Sequence, residues 1–278
     1  MGGDDRVAQI EKIEIDLFVL GLERAFGLDL GGCSPAMVRG AILEQVNAMH
    51  SRSVTALLDR VLHDTECGER VAACVATSGL ELFAHPEFFR ALRVHAMPWL
   101  RTCPFVNVWM CEPGSPGDVH SLAIVLSETG IDARSRIYAT HRDGRRVAWS
   151  SEAAVSERSL DFSDPQYRLA GGSQALHRYF ELQERRLVPA KAMRQNILWA
   201  QYDASQGAPF HEFNLIVCRD AMLNALPATA RRHFHMLLAD SQALSGLLAL
   251  PPNCPLDASV TNRYRMLDAV SGLYQRVR

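Results

Sequence analysis

Short apolar runs alternate with helix-like segments along the C-terminal part of the chain, and this alternation limits the possible folds more than any other feature. The runs span residues 105–109, 136–139, 196–199, 213–218 and 246–250. Segments with helical spacing lie between them, such as 120–128 and 229–238. Alternation of this kind indicates a mostly parallel sheet covered by helices. The sequence therefore predicts an α/β fold, with a Rossmann-like sheet that carries helices on both faces.

Before Pro98, apolar residues recur at helical spacing without strand-like alternation. The first stripe consists of Leu17, Leu20, Leu22 and Phe26, and further stripes follow at 37–49, 54–62 and 71–82. We therefore predict two domains, an all-helical domain at 1–98 and an α/β domain at 99–278. Within the second, the polar stretch 155–172 lacks a clear period and is predicted to be an irregular insertion or lid.

Composition argues against several classes of function. The chain has 29 Lys and Arg against 31 Asp and Glu, and this balance lacks the basic field that nucleic-acid binding needs. No apolar run approaches the roughly 20 residues of a membrane span, and the acidic start lacks the apolar core of a signal peptide. We therefore expect a cytoplasmic protein without membrane insertion. The seven cysteines form no C-x-x-C pair and no zinc-like set with the histidines, so we expect reduced thiols and no metal.

Ligands of open α/β sheets bind at the carboxyl ends of the strands. The predicted strand ends here are 109–118, 139–143 and 218–222. His120 and His141 could face each other across this pocket, where a histidine pair would bind an anion or respond to pH. Neither a G-x-S-x-G elbow nor a G-x-x-x-x-G-K-[ST] loop occurs, so the sequence indicates neither a serine nucleophile nor a P-loop.

Several segments, in order and at compatible spacing, resemble the chemotaxis receptor methyltransferase (CheR) family nearly end to end. Residues 27–30, 136–140 and 213–219 resemble the family's GxDf, riYATD and FDLIfCRN motifs, and 57–64 resembles the end of a family helix. Tyr264, Leu267 and Tyr274 resemble its C-terminal pattern. The resemblance implies a methyltransferase-type sheet behind a helical domain, S-adenosylmethionine as the cofactor and receptor glutamates as the substrate.

The positions that match the family's first nucleotide loop, G-C-S-T-G-E-E-x-Y-S, are mostly substituted. The loop aligns without a gap to 112–121, which places Glu112 and Pro116 where the family has glycines. Gly117 stands at the first of its paired glutamates and Asp118 at the second, while Gly114 lies out of register. Because glycine permits tight turns and close backbone approach, these changes remove the features that hold a nucleotide.

The remaining cofactor positions also differ from the family. His141 replaces the ribose-binding aspartate of the ATD motif, and Ala84 replaces the arginine of T-E-F-F-R-D-P when the register is set by Pro86. The alternative register, in which 87–90 spell E-F-F-R, loses that proline. Asp203 and Asp220 replace the asparagines of the HNL and CRN motifs. Of the site residues compared, Arg219 alone is unchanged.

These substitutions lead to three hypotheses about function. Each lost charge or hydrogen-bond partner costs about 1–3 kcal/mol, so two or three losses lower affinity roughly a thousandfold. The first hypothesis is a degenerate methyltransferase without a cofactor, which acts as a regulatory, protein-binding module in a bacterial chemosensory or signalling pathway. The second is an active S-adenosylmethionine-dependent protein-glutamate methyltransferase with a site rebuilt by Asp118, Arg142 and Asp143. The third is a binder of another small ligand, in a pocket lined by Pro116 and His141.

The second predicted helix carries little of the basic face that the resemblance implies for contact with acidic receptor helices. It keeps Arg39 and adds Glu44. Electrostatic steering toward an acidic receptor helix should therefore be weak. The protein partner that we expect is not identified by the sequence.

Overall fold

The computed structural model describes residues 3–28, 30, 33–183, 186–210, 212–219, 223, 226–252 and 254–278. The α-helices within these residues are α1 Gly3–Phe26, α2 Pro35–Ala48, α3 Val54–His63, α4 Thr65–Gly79, α5 Pro86–Ala91, α6 Met97–Leu100, α7 Pro116–Glu128, α8 Gly144–Ser151, α9 Glu157–Leu169, α10 Lys191–Arg194 and α11 Ala228–Asp240. The strands are β1 Val106–Cys111, β2 Ser135–His141, β3 Phe180–Gln183, β4 Arg186–Pro189, β5 Ile197–Gln201, β6 Phe213–Val217, β7 Gln242–Ala249, β8 Tyr264–Asp268 and β9 Leu273–Arg276. No helix in the described residues is both long and apolar enough to cross a bilayer.

The central sheet has seven strands in the order β5-β2-β1-β6-β7-β9-β8. Strands β5, β2, β1, β6 and β7 are parallel to one another, while β9 runs antiparallel to both β7 and β8. The predicted mixed α/β fold with a mostly parallel sheet is therefore confirmed. Strand order reverses between β1 and β6, which places the crevice of a doubly wound sheet at the carboxyl ends of these strands.

Two antiparallel elements were absent from the sequence prediction. Strands β8 and β9 close one edge of the sheet, and β3 and β4 form a separate hairpin. Their strands have four or five residues, and much of their surface is exposed, as Leu182 illustrates at 73%. Segments this short and polar carry too little apolar alternation to be recognised from the sequence.

The prediction of an irregular insertion at 155–172 is wrong, because α9 occupies most of it. Ser156 caps the helix by accepting a hydrogen bond from the Ser159 amide at 3.0 Å. The buried face consists of Ser159, Leu160, Ser163 and Tyr167. Two of these four residues are serines, so the helical period is not visible in a pattern of apolar residues.

The helices before the sheet contribute to two different cores. Helices α1–α4 enclose a core that includes Phe18, Leu22, Ile42 and Leu57. Residues 80–100 instead supply Leu82, Phe83, Phe89 and Leu92, among others, to the core that also contains residues of β1 and α7. The segment just before β1 is therefore packed directly against the sheet and its first crossover helix.

The first predicted stripe is divided between opposite sides of α1. Leu22 is fully buried, whereas Leu17 and Leu20 are 48% and 45% exposed. Leu17 and Leu22 are five residues apart, which is about 140° around a helix. Phe18 fills the core position beside Leu22 instead, so the single stripe predicted from the sequence is wrong.

Candidate functional site

Glu112 closes the turn after β1 with its own side chain. Its backbone φ is +49°, a conformation that is uncommon outside glycine, at a position where the resembled family has glycine. Its carboxylate accepts a hydrogen bond from the Arg142 amide at 2.7 Å and lies 3.1 Å from Nδ1 of His141. The His141 side chain is 2% exposed. The substituted residues at the ends of β1 and β2 therefore pair with each other.

The backbone N–H groups in the first turn of α7 form hydrogen bonds within the protein. Pro116, the first residue of the helix, has no backbone N–H. The hydroxyl of Ser115 caps the helix by accepting from the Gly117 amide at 3.1 Å, and the Asp118 amide donates to the Ser115 carbonyl. A helix N-terminus binds anions through free N–H groups. None of the first three positions of this helix offers a free N–H, because Pro116 has none and the amides of Gly117 and Asp118 both donate to Ser115.

The segment that carries Ala84 lies against α7. The Phe83 amide donates to the Ser121 hydroxyl of α7 at 2.8 Å, and the Leu82 amide donates to Ser163 of α9 at 2.9 Å. The Glu81 carbonyl oxygen would be 2.0 Å from a β-carbon on Gly117. The absence of a side chain at Gly117 therefore allows the backbone of α7 to approach the backbone at Glu81 closely.

We expect Gly117→Ala to destabilise the fold by about 1–3 kcal/mol, because the added methyl collides with backbone rather than with a flexible side chain. Gly114→Ala is the matched control, since its β-carbon would meet only Asp118 Oδ2, at 3.8 Å. Urea denaturation of both variants measures the difference. Equal unfolding free energies for the two variants would contradict the close approach.

Ionisable side chains accompany this contact. Burial raises the pKa of Asp118, and its electrostatic interactions with His85 and Arg219 oppose that rise. Burial also raises the pKa of Glu81, with a smaller contribution from Asp118. Arg219 is held within the protein, since it donates to the Ser271 carbonyl at 2.9 Å and its guanidinium lies 4.3 Å from the centre of the Phe88 ring. The acid and the arginine kept from the family pattern are thus near each other.

A cavity of about 60 Å³ lies at this edge of the sheet. Its described lining is Glu112, Arg142, Asp203, Ala204, Ser205, Cys218, Leu223, Leu226 and Phe234. Asp203 is engaged by the Ser205 amide and hydroxyl, and these hydrogen bonds lower its pKa. Pockets for small molecules and cofactors usually measure about 300–1,000 Å³. The part of this cavity that the described residues form is smaller than that range.

The predicted site residues are only partly brought together. Glu112 and Asp203 line the cavity, whereas Ala84, Pro116 and His141 are not among its described lining residues. Asp220 lies outside the described residues. Among the described residues, Glu112 places a carboxylate at the end of β1, and Pro116 leaves the first position of α7 without an N–H.

His120 and His141 do not form the predicted pair. His141 contacts Glu112, while His120 lines a different cavity of about 470 Å³ beside Trp199 and Arg194. His120 is buried, its Nδ1 has no hydrogen-bond partner in the described structure, and burial lowers its pKa to about 4. Residue spacing did not predict the surroundings of His120, because α7 is apolar on most of its surface and no single face of it is marked as buried.

Comparison with known proteins supports a methyltransferase-like chain. No family model matches it. The chain is 28% identical over 211 residues to "Putative methyltransferase Cher3" of Pseudomonas putida, a match that covers 76% of this chain and 77% of that protein.

Solved structures are similar at lower identity. The N-methyltransferase NodS of Bradyrhizobium japonicum, in complex with S-adenosyl-L-homocysteine, is 13% identical, with a TM-score of 0.37 over 71% of this chain and 89% of NodS. The glycopeptide N-methyltransferase MtfA, complexed with sinefungin, is 14% identical, with a TM-score of 0.34 over 61% of this chain and 49% of MtfA.

Proposed function

We propose that this chain is a CheR-like methyltransferase relative that does not use S-adenosylmethionine, and that it acts as a regulatory, protein-binding module in bacterial chemosensory or cytoplasmic signalling. Its helical part, 1–98, and its α/β part, 99–278, correspond to the two domains of that family. The methyltransferase lineage is supported by the similarity to Cher3 and by the motifs in the sequence.

The contact between Glu112 and His141 is the main observation in support of the proposed loss of cofactor binding. A ligand carboxylate or ribose at the ends of β1 and β2 would have to displace a side chain that already bonds His141 and the Arg142 amide. Breaking these bonds without replacing them leaves a buried imidazole and a backbone donor unpaired, at a cost of about 1–3 kcal/mol for each group. The small cavity beside Glu112 agrees with a closed site.

A second candidate is an active S-adenosylmethionine-dependent protein-glutamate methyltransferase with a rebuilt site. The observation that favours it is the retained pair of Asp118 and Arg219, whose charges interact near the switch point of the sheet. In this alternative Asp203, beside the small cavity, takes the place of the family's asparagine.

Calorimetric titration with S-adenosylhomocysteine separates the two candidates. We expect no saturable heat at micromolar concentrations from a sample whose cooperative thermal unfolding shows that it is folded. Saturation at micromolar ligand would instead favour the active enzyme. A folded control with Glu112→Gln removes the carboxylate charge but keeps the size of the side chain, and it shows whether charge alone prevents binding.

A further inference from the structure

Helix α1 has apolar residues on two opposite faces. One face carries Phe18 and Leu22, both fully buried in the core of the first four helices. The other carries Ile10, Ile13, Leu17 and Leu20, which are between 45% and 52% exposed. A helix that serves one core needs one apolar stripe. The second stripe is therefore not explained by folding of the described chain.

The exposed residues form a continuous row with the spacing of a coiled-coil seam. They are separated by three, four and three residues, which corresponds to the a and d positions of a heptad. Leu62 of α3, 48% exposed, lies beside the row, since its Cδ2 is 3.9 Å from the position of a Gly21 β-carbon. Single exposed apolar residues are ordinary on protein surfaces, but an aligned row marks an interaction surface.

The charges around this seam determine which partner fits it. In the heptad register of the seam, the e and g positions are residues 7, 9, 14, 16, 21 and 23. Three of them are acidic, namely Glu14, Asp16 and Glu23, and none is lysine or arginine. Arg6 and Arg24 continue the line of the seam at its two ends. Parallel pairing with a second copy would place each arginine against its counterpart, and antiparallel pairing would place Asp16 and Glu14 against acids. Like charges in such positions oppose self-association.

We propose that the seam Ile10-Ile13-Leu17-Leu20 is a docking site for an amphipathic helix of a partner protein, with apolar a and d residues and lysine or arginine at its e and g positions. The proposal rests on the proposed function, because it locates the protein-binding role on α1. Basic flanks would pair with the exposed Asp16 and Glu23, and apolar contacts would cover the exposed row. Glu14 already accepts hydrogen bonds from the amide and the hydroxyl of Thr55 in α3. An interface of this length suits a weak, regulated complex.

Two synthetic three-heptad peptides test the proposal with the full chain by fluorescence anisotropy. Both have leucine at a and d; one has lysine at e and g, and the other has glutamate. We expect the lysine peptide to bind at least about tenfold more tightly than the glutamate peptide. The double variant Ile13→Gln/Leu17→Gln should abolish this binding. The matched control Leu169→Gln/Val270→Gln, which changes two exposed residues elsewhere, should retain it.

Charge reversal provides the second arm of the test. Asp16→Lys/Glu23→Lys should transfer the preference to the glutamate peptide, because both residues are exposed. Equal binding of the two peptides, no binding of either, or loss of binding in the control variant would overturn the proposal. So would a dimer in sedimentation that Ile13→Gln/Leu17→Gln dissociates, since the occupant would then be a second copy. Binding of S-adenosylhomocysteine would overturn the proposed function while leaving the peptide result unchanged.

Discussion

The fourfold variant Ala84→Arg/Glu112→Gly/Pro116→Gly/His141→Asp is expected to bind S-adenosylhomocysteine roughly a thousandfold more tightly than the wild-type chain. Each change restores a residue type that the CheR resemblance implies at that position. Together they supply a cation, two glycines and a ribose-binding carboxylate at the carboxyl edge of β1 and β2. The expected gain is large because several hydrogen bonds and charge contacts implied by the resemblance are restored at once.

The backbone is already suited to part of this reversion. Residue 112 has φ +49°, which glycine adopts without strain. Removing the Glu112 side chain also releases the Arg142 amide, which it now engages at 2.7 Å. Pro116→Gly returns an N–H to the first turn of α7. Two of the changes therefore open the site, while the changes at 84 and 141 provide groups that contact the ligand.

Calorimetric titration of wild type, the fourfold variant and Ala84→Arg alone measures this effect. Ala84→Arg should restore little by itself, because Glu112 still contacts His141 and the cavity remains small. Thermal unfolding of each variant checks that loss of the Glu112–His141 contact leaves the chain folded. If wild type binds as tightly as the fourfold variant, these four positions did not abolish the cofactor site.

The parallel strands could be predicted because each of them is visible as an apolar pattern within a few consecutive residues. Strands β1, β2, β5, β6 and β7 are short apolar runs bounded by polar residues, and each has a strong period or a continuous apolar stretch. Strands β8 and β9 have only five and four residues and contain polar residues, so neither shows a continuous apolar stretch. Helix α9 was missed because serines fill half of its buried face.

Sequence reasoning placed Glu112 and His141 at one edge of the sheet, but it did not predict their contacts. The rule that ligands bind at carboxyl ends of strands correctly brought Glu112 and His141 to one edge. Glu112 was predicted as the replacement of a loop glycine, yet its carboxylate contacts His141 and the Arg142 amide. At a turn with positive φ, the direction of a side chain depends on the local backbone conformation. The spacing of residues in the sequence does not encode this conformation. The same limit explains why the exposed face of α1 was combined with its buried face.

The contribution of His120 to the unfolding free energy of the wild-type chain is expected to decrease as pH falls from 6.5 to about 4. Burial lowers the pKa of this histidine from 6.5 to about 4, so the folded state keeps the ring neutral where the unfolded state binds a proton. Between these values the unfolded state carries more protons, and stability therefore rises with pH. The stabilising contribution is complete above pH 6.5 and is lost as pH falls toward 4. Its size is about 3 kcal/mol.

His120→Leu removes this proton-linked contribution and replaces an imidazole that has a buried, unpartnered Nδ1 with an apolar side chain. Urea denaturation at several pH values from 4 to 7 should give a curve for the variant that is flatter by about 3 kcal/mol. Some dependence should remain, because burial also lowers the pKa of His235. The control His233→Gln, at an exposed position two residues before His235, should follow the wild-type curve. Identical slopes for wild type and His120→Leu would mean that His120 is protonated in the folded chain, or that it is reached by water through the 470 Å³ cavity that it lines.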